Sequence, residues 1–265
     1  MESIILLAVI QGITEFLPVS SSSHLNLVHI FGVSPDGGVH VDIAVHVGSL
    51  LAVLVYFRHD IMALAKSTPG LVAGKPSPEG RILLWLIVAS LPLGVAGGIV
   101  LAGGYIDMVR TGVVIAWANI IFAVLLYAAD KTGAHTRNLQ TMTAPHALLV
   151  GIAQMCALIP GASRAGVTIT MSRALGYDRQ EAARFSMLLA IPAIAGAGLG
   201  GGLHAFETGT RADLADLALG AGLSFLAALT AIAFFMRLLA HINLTVFVVY
   251  RLVLGAALLG WLYSG

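Results

Sequence analysis

The stretch Ile4-Ile-Leu-Leu-Ala-Val-Ile-Gln11-Gly-Ile-Thr-Glu15-Phe-Leu-Pro18-Val-Ser20-Ser21-Ser22-Ser23-His24 starts as an apolar run and ends in polar residues. As a helix, Ile4–Leu17 would reach only about 21 Å at 1.5 Å per residue. A membrane-crossing helix needs roughly 17–25 mostly apolar residues. Pro18 and the serines then interrupt it. A second stretch has the same shape: His146–Ile159, then Pro160-Gly161-Ala-Ser163-Arg164-Ala-Gly166-Val-Thr168. Non-helical backbone at membrane depth survives only inside protein or against a water-filled cavity. Both stretches therefore read as re-entrant helix-loop-helix hairpins.

The membrane itself follows from composition. Of 265 residues, 58% are hydrophobic and only 10% charged, against about 25% charged in soluble domains. The net charge of +1 leaves no basic field for nucleic acid. Cys156 is the only cysteine, which excludes an intrachain disulfide. The apolar start lacks a basic flank and a small-x-small site, so no cleavable signal peptide is expected.

Six further stretches are candidate spans: Val41–Phe57, Ile82–Ala102, Gly112–Ala129, Phe185–Leu203, Leu217–Met236 and Leu244–Leu262. Pro69–Gly80 reads as a loop. The expected fold is all-α: six transmembrane helices plus two re-entrant hairpins, in one membrane domain over 1–265. Each hairpin precedes three spans. The chain thus divides into halves of about 1–130 and about 145–265, inverted in topology because three crossings is an odd number. Gln11 and Gln154 precede the two breaks in parallel, with one gap needed when the prolines are aligned.

Positive charge orients the chain. Arg58, Lys66, Lys75, Arg81, Lys131, Arg137, Arg173, Arg179, Arg184 and Arg237 fall on one side, and only Arg110 and Arg211 on the other. Both termini should face away from the cytoplasm. Arg164 and Arg251 remain within the membrane.

In the first hairpin Gln11 and Glu15 are four apart, on one helix face. A carboxylate at membrane depth is costly and usually functional, although a structural ion pair would also hold it there. The serines fit a polar turn or helix cap, but His24 adds a general base near a serine hydroxyl. In the second hairpin, a glycine-punctuated loop leading into a helix presents N–H groups to an anion. Arg164 adds a planar fork suited to phosphate, and Ser163 and Thr168 add hydroxyls. A snorkelling arginine is the plainer alternative. Asp42, Asp107, Asp130 and the acidic loop Glu207–Asp216 read as span ends and surface. His46 and Arg251 lie within spans, as structural or supporting groups.

The run from Gln11 to His24 resembles the first motif of the undecaprenyl-diphosphate phosphatases of the BacA type, and Pro160–Thr168 resembles their second. The similarity extends along the whole chain in length and hydropathy. It implies hydrolysis of the lipid carrier diphosphate to monophosphate and phosphate, in the bacterial inner membrane, at a site facing the periplasm. It also implies a role in recycling the cell-wall carrier and in bacitracin resistance. It implies a divalent cation, Mg²⁺ or Ca²⁺, with Glu15 and Gln11 as metal ligands. The family often has glutamate where Gln11 stands, so the metal would rest on Glu15, diphosphate oxygens and water. On this reading Glu15, Ser21, His24 and Arg164 are catalytic. Ser21 is the nucleophile and His24 its proton acceptor, with activated water as the competing attack. Gln11, Ser20, Gly161, Ser163 and Thr168 bind substrate, and the prenyl tail lies in an apolar cleft between the hairpins. A flippase for a phosphorylated prenyl lipid is the alternative, because broken helices in inverted repeats are also a transporter architecture. The sequence leaves a homodimer open and gives no nucleic-acid partner.

The orientation is testable by labelling. With Cys156 replaced, single cysteines placed in Pro69–Gly80 should react only from the cytoplasmic side; labelling from outside would reverse the orientation.

Overall fold

The computed structural model describes residues 1–30, 38–103, 111–132, 136–208 and 213–264. Asp107, Arg110 and Arg211 lie outside the described residues, as does part of the Glu207–Asp216 loop. Among the described residues there are eleven α-helices and no strand. They are α1 (Glu2–Thr14), α2 (Ser21–Ile30), α3 (Val39–Tyr56), α4 (Arg58–Val72), α5 (Pro78–Gly103), α6 (Gly112–Thr132), α7 (Ala144–Met155), α8 (Arg164–Ala174), α9 (Arg179–Thr208), α10 (Leu214–Leu238) and α11 (Thr245–Ser264).

Five of these, α5, α6, α9, α10 and α11, are long and apolar enough to cross a membrane. A sixth crossing requires α3 and α4 together, a pair bent by 77°. The protein is thus a multi-pass membrane protein. The side chains facing outward include Leu91, Val95, Ile99, Leu226, Phe234 and Val253, each more than half exposed. Such a surface is stable against hydrocarbon rather than water.

One expectation changes. The segment Pro69–Gly80 is not loop throughout: α4 runs through Pro69 to Val72, and α5 begins at Pro78. The apolar side of α4, carrying Ile61 and Leu64, packs towards Ile82 and Leu86 of α5. Burying that stripe outweighs the hydrogen bond that Pro69 cannot make near the helix end.

Small residues bring the helices close, as apolar surroundings require, since lipid supplies no hydrophobic drive between helices. A Cβ on Gly12 of α1 would lie 2.6 Å from Ser224 O of α10, and one on Gly151 of α7 would lie 2.6 Å from Ala89 O of α5. Gly255 of α11 meets Ala116 O of α6 in the same way. Ser49 and Ser224 share a hydrogen bond at 3.0 Å between α3 and α10.

At one corner Asp130, which reads from sequence as an ordinary span end, is buried and ties four segments together. Arg173 Nε donates to it at 2.8 Å and Arg179 Nε at 2.9 Å, and the Leu244 N–H adds a contact at 3.3 Å. Its two lone-pair-rich oxygens thereby join α6, α8, α9 and the entry to α11. Beside it, burial pushes the Tyr177 hydroxyl up to about 12, so it remains neutral while bonding His146 Nδ1 at 2.8 Å. Arg184 Nε donates to Asp60 at 2.9 Å and fastens α9 to α4.

Candidate active site

Two breaks in the helices build the site. α1 gives way to residues 15–20 before α2, and α7 gives way to residues 156–163 before α8. Each break ends on a serine with positive φ: Ser20 at 71° and Ser163 at 69°. These are the two non-glycine residues with positive φ among the described residues. Such backbone costs about 1–3 kcal/mol and persists only where its surroundings enforce it. Adding 143 to the first break maps Ser20 onto Ser163, Gln11 onto Gln154 and Ser21 onto Arg164 without a gap. The sequence alignment placed its gap by matching prolines; the backbone aligns the strained serines instead.

Each strained serine stands at a helix start. Ser163 Oγ accepts the Gly166 N–H at 3.1 Å and caps α8. The first-turn amides of a helix have no acceptor within it, so the N–H groups of Arg164 and Ala165 are offered to an anion. Ser20 Oγ is bonded to Ser22 and Ser23, and Asn119 donates to Ser23 at 2.7 Å. The loops touch directly: the Gly161 N–H reaches Ser22 Oγ at 3.3 Å.

Glu15 lies at the centre. Arg164 Nη2 contacts its Oε1 at 3.2 Å. Its Oε2 accepts from Ser21 Oγ at 2.8 Å and from Gln11 Nε2 at 2.9 Å. The tips of both loops therefore meet on one carboxylate. Arg164 Nη1 donates to Ser186 O at 3.1 Å, and the guanidinium sits 5.9 Å from the centre of the Phe16 ring.

Other expected site residues are placed differently. His24 does not bond Ser21. Its Nδ1 faces Ser20 O at 2.8 Å and its Nε2 faces the Tyr250 hydroxyl, with the two rings stacked. Thr168 is fully buried, and its hydroxyl bonds Arg164 O and Ser186 Oγ. It braces the first turn of α8 from behind. Gly161 is reached through its carbonyl by Arg251 at 2.9 Å. Tyr250, Asn119 and Ser186 escaped the sequence reading. Only a tyrosine beside a membrane-embedded arginine hinted at α11, while Asn119 and Ser186 resemble ordinary helix-bridging polar residues.

Among the described residues, no group of three or more His, Cys, Asp or Glu side chains could hold a metal ion. Gln11 Oε1 is buried without a hydrogen-bond partner beside Glu15. A cavity of about 620 Å³ lies between α4, α5 and α9, walled by Leu64, Leu86, Leu188 and Pro192. None of the residues around Glu15 lines it.

Comparison with known proteins agrees with the two motifs. Residues 4–257 match the family described as bacitracin resistance protein BacA. The chain belongs to this family. It is 46% identical over 262 residues to a Roseobacter denitrificans protein named undecaprenyl-diphosphatase, covering 98% of each chain. It is 46% identical over 259 residues to the protein of that name from Maricaulis maris, covering 97% of each. For the Hahella chejuensis relative, also so named, identity is 44% over 261 residues, covering 98% of this chain and 97% of the other. BacA-family membership therefore covers both breaks and every helix that supports them.

The strained cap makes a stability prediction. Ser163→Ala loses the hydroxyl cap and keeps the unfavourable φ, whereas Ser163→Gly loses the cap but relieves the backbone. Thermal unfolding in detergent should show Ala destabilised by about 1–2 kcal/mol and Gly by only a few tenths. An alanine variant as stable as the glycine variant would contradict the strain.

Proposed function

We propose that this chain is a polyprenyl-diphosphate phosphatase, hydrolysing undecaprenyl diphosphate to undecaprenyl phosphate and inorganic phosphate. In that role it recycles the lipid carrier of cell-wall synthesis, which accords with the bacitracin-resistance name of its family. Membership of the family and the shared name of its relatives support the substrate. The observation that carries the chemistry is the Ser21 hydroxyl donating to the same carboxylate that pairs with Arg164.

In this reading Ser21 Oγ attacks the terminal phosphorus and its proton passes to Glu15 Oε2. The bond from phosphorus to the bridging oxygen breaks, and undecaprenyl phosphate leaves with those electrons. Protonation neutralises Glu15, which weakens its hold on Arg164 as negative charge gathers on the transferring group. The freed fork and the first-turn amides of α8 then stabilise that charge. Water then attacks the phosphorus of the serine phosphoester, the bond from phosphorus to Ser21 Oγ breaks, Glu15 returns its proton to that oxygen, and phosphate leaves. His24, three residues after Ser21 and on the same face of α2, would activate that water through Nε2, the water replacing the Tyr250 hydroxyl there, while Ser20 O keeps Nδ1–H and holds the ring.

The residues fit Mg²⁺ or Ca²⁺ in part. Gln11 Oε1 and Glu15 would hold the ion, with diphosphate oxygens and water completing its shell. It would supply further neutralisation of the diphosphate.

The same reading places both loops as re-entrant hairpins in the bacterial cytoplasmic membrane, with the site open to the outside. The asymmetry of Lys and Arg supports that orientation. The gapless register of the two breaks supports inverted halves of about 1–130 and about 145–265. The corresponding packing of α1 on α10 and of α7 on α5 supports them too.

Phosphate release from undecaprenyl diphosphate by purified protein in detergent tests the function, since a flippase needs two compartments and would release none. Ser21→Ala should lower turnover by on the order of 10⁶-fold, the scale of losing an attacking serine, while lipid binding is retained. Arg164→Lys should lose about 10²-fold, since a point charge does not replace the fork. Substantial turnover by Ser21→Ala would assign the attack to water, and parental turnover by Arg164→Lys would remove Arg164 from the site.

A further inference from the structure

Arg251 lies within α11 with its side chain fully buried. Three peptide carbonyls hold it. Nη2 donates to Gly161 O at 2.9 Å and to Ala162 O at 3.0 Å, and Nη1 reaches Pro18 O at 3.4 Å. Pro18 and Gly161 occupy the same position in the two breaks under the offset of 143 that superposes Ser20 on Ser163. One guanidinium therefore binds equivalent carbonyls of both loops.

Its electrostatics are unusual. Among the described residues no carboxylate pairs with Arg251; Glu15 is taken by Arg164 and Asp130 by Arg173 and Arg179. Arg251 Nε has no partner. A buried cation without a counter-ion is costly, and carbonyl dipoles compensate only part of that cost. With Glu15 and Arg164 cancelling, the junction of the loops carries one uncompensated positive charge, which an anionic substrate would balance.

The geometry also links Arg251 to the transfer step. Peptides are planar and trans, so fixing the Ala162 carbonyl on Arg251 turns the Ser163 N–H to the opposite side, at the entrance to α8. Arg251 Nη1 lies against the first turn of that helix: a Cβ on Gly166 would come within 2.7 Å of it. The helix start that presents Arg164 is therefore set by where the fork of Arg251 sits.

We propose that Arg251 is a positioning residue, a clamp whose fork fixes the two loop tips in register so that Arg164 and Ser21 face one phosphoryl group. This rests on the phosphatase reading above. A merely structural staple would lower the yield of folded protein and leave each folded molecule as active as the parent.

Two variants separate these roles. Arg251→Lys keeps the charge and loses the fork. Gly166→Ala keeps Arg251 and displaces the end of its flexible side chain. For both, turnover per folded molecule, KM for undecaprenyl diphosphate and inhibition by inorganic phosphate are measured in detergent. The clamp predicts kcat lower by on the order of tenfold or more in each. Phosphate inhibition should stay within about threefold, because the charge remains near the site. Parental kcat per folded molecule in either variant overturns the clamp. Failure of both to yield folded protein assigns Arg251 to folding alone and overturns it equally. If the parent itself releases no phosphate, the phosphatase reading fails instead.

Discussion

The contact between Glu15 and Arg164 is the interaction on which the rest of the site depends. It joins residues 149 positions apart in the chain, and the two side chains are only 9% and 11% exposed. A buried ion pair is stable only when its remaining lone pairs and protons are satisfied. Here Gln11 and Ser21 fill the second carboxylate oxygen, while Ser186 O and the Phe16 ring attend the guanidinium. All of these partners except Ser186, which lies on α9, sit on or beside a broken helix. Removing either charge would leave the other in surroundings that cannot solvate it, and both loop tips would lose their common anchor.

The breaks themselves are stable because other parts of the chain replace the hydrogen bonds they forgo. Backbone groups freed at the two interruptions turn to Ser22, Arg251 and the serine cap of α8. Glycines on α1, α7 and α11 let long helices close around them at backbone distance. An apolar core supplies the mass, but small residues and a few polar side chains decide where the tips stop. The energetic cost of positive φ at Ser20 and Ser163 is borne where the two breaks turn into α2 and α8.

Much of this was legible in the sequence. Length against bilayer thickness exposed both broken helices, and the i, i+4 spacing put Gln11 and Glu15 on one face. The fork of Arg164 and the glycines around it marked the second break as a place for a charged partner, and the structure sets Arg164 against Glu15 there. Three things were not legible. Side-chain direction after a break is set by a single φ angle, so His24 turning to Tyr250 rather than to Ser21 left no trace in spacing. Thr168 gave the same signal whether its hydroxyl faced a ligand or, as found, Ser186. The roles of Asp130 and Arg251 depend on which segments meet at them, and periodicity carries no such long-range information. Pro69 misled in the opposite direction, because the packing of α4 against α5 carries the helix past it to Val72.

In the proposed reaction Glu15 and Ser21 act as one unit in phosphoryl transfer. Phosphate release by purified Glu15→Gln, Ser21→Ala and the double variant measures this directly, since groups that act together are strongly non-additive. All three should fall to a similar residual rate, with the double variant no slower than either single one. Losses that multiply in the double variant, or parental turnover in Glu15→Gln, would contradict it.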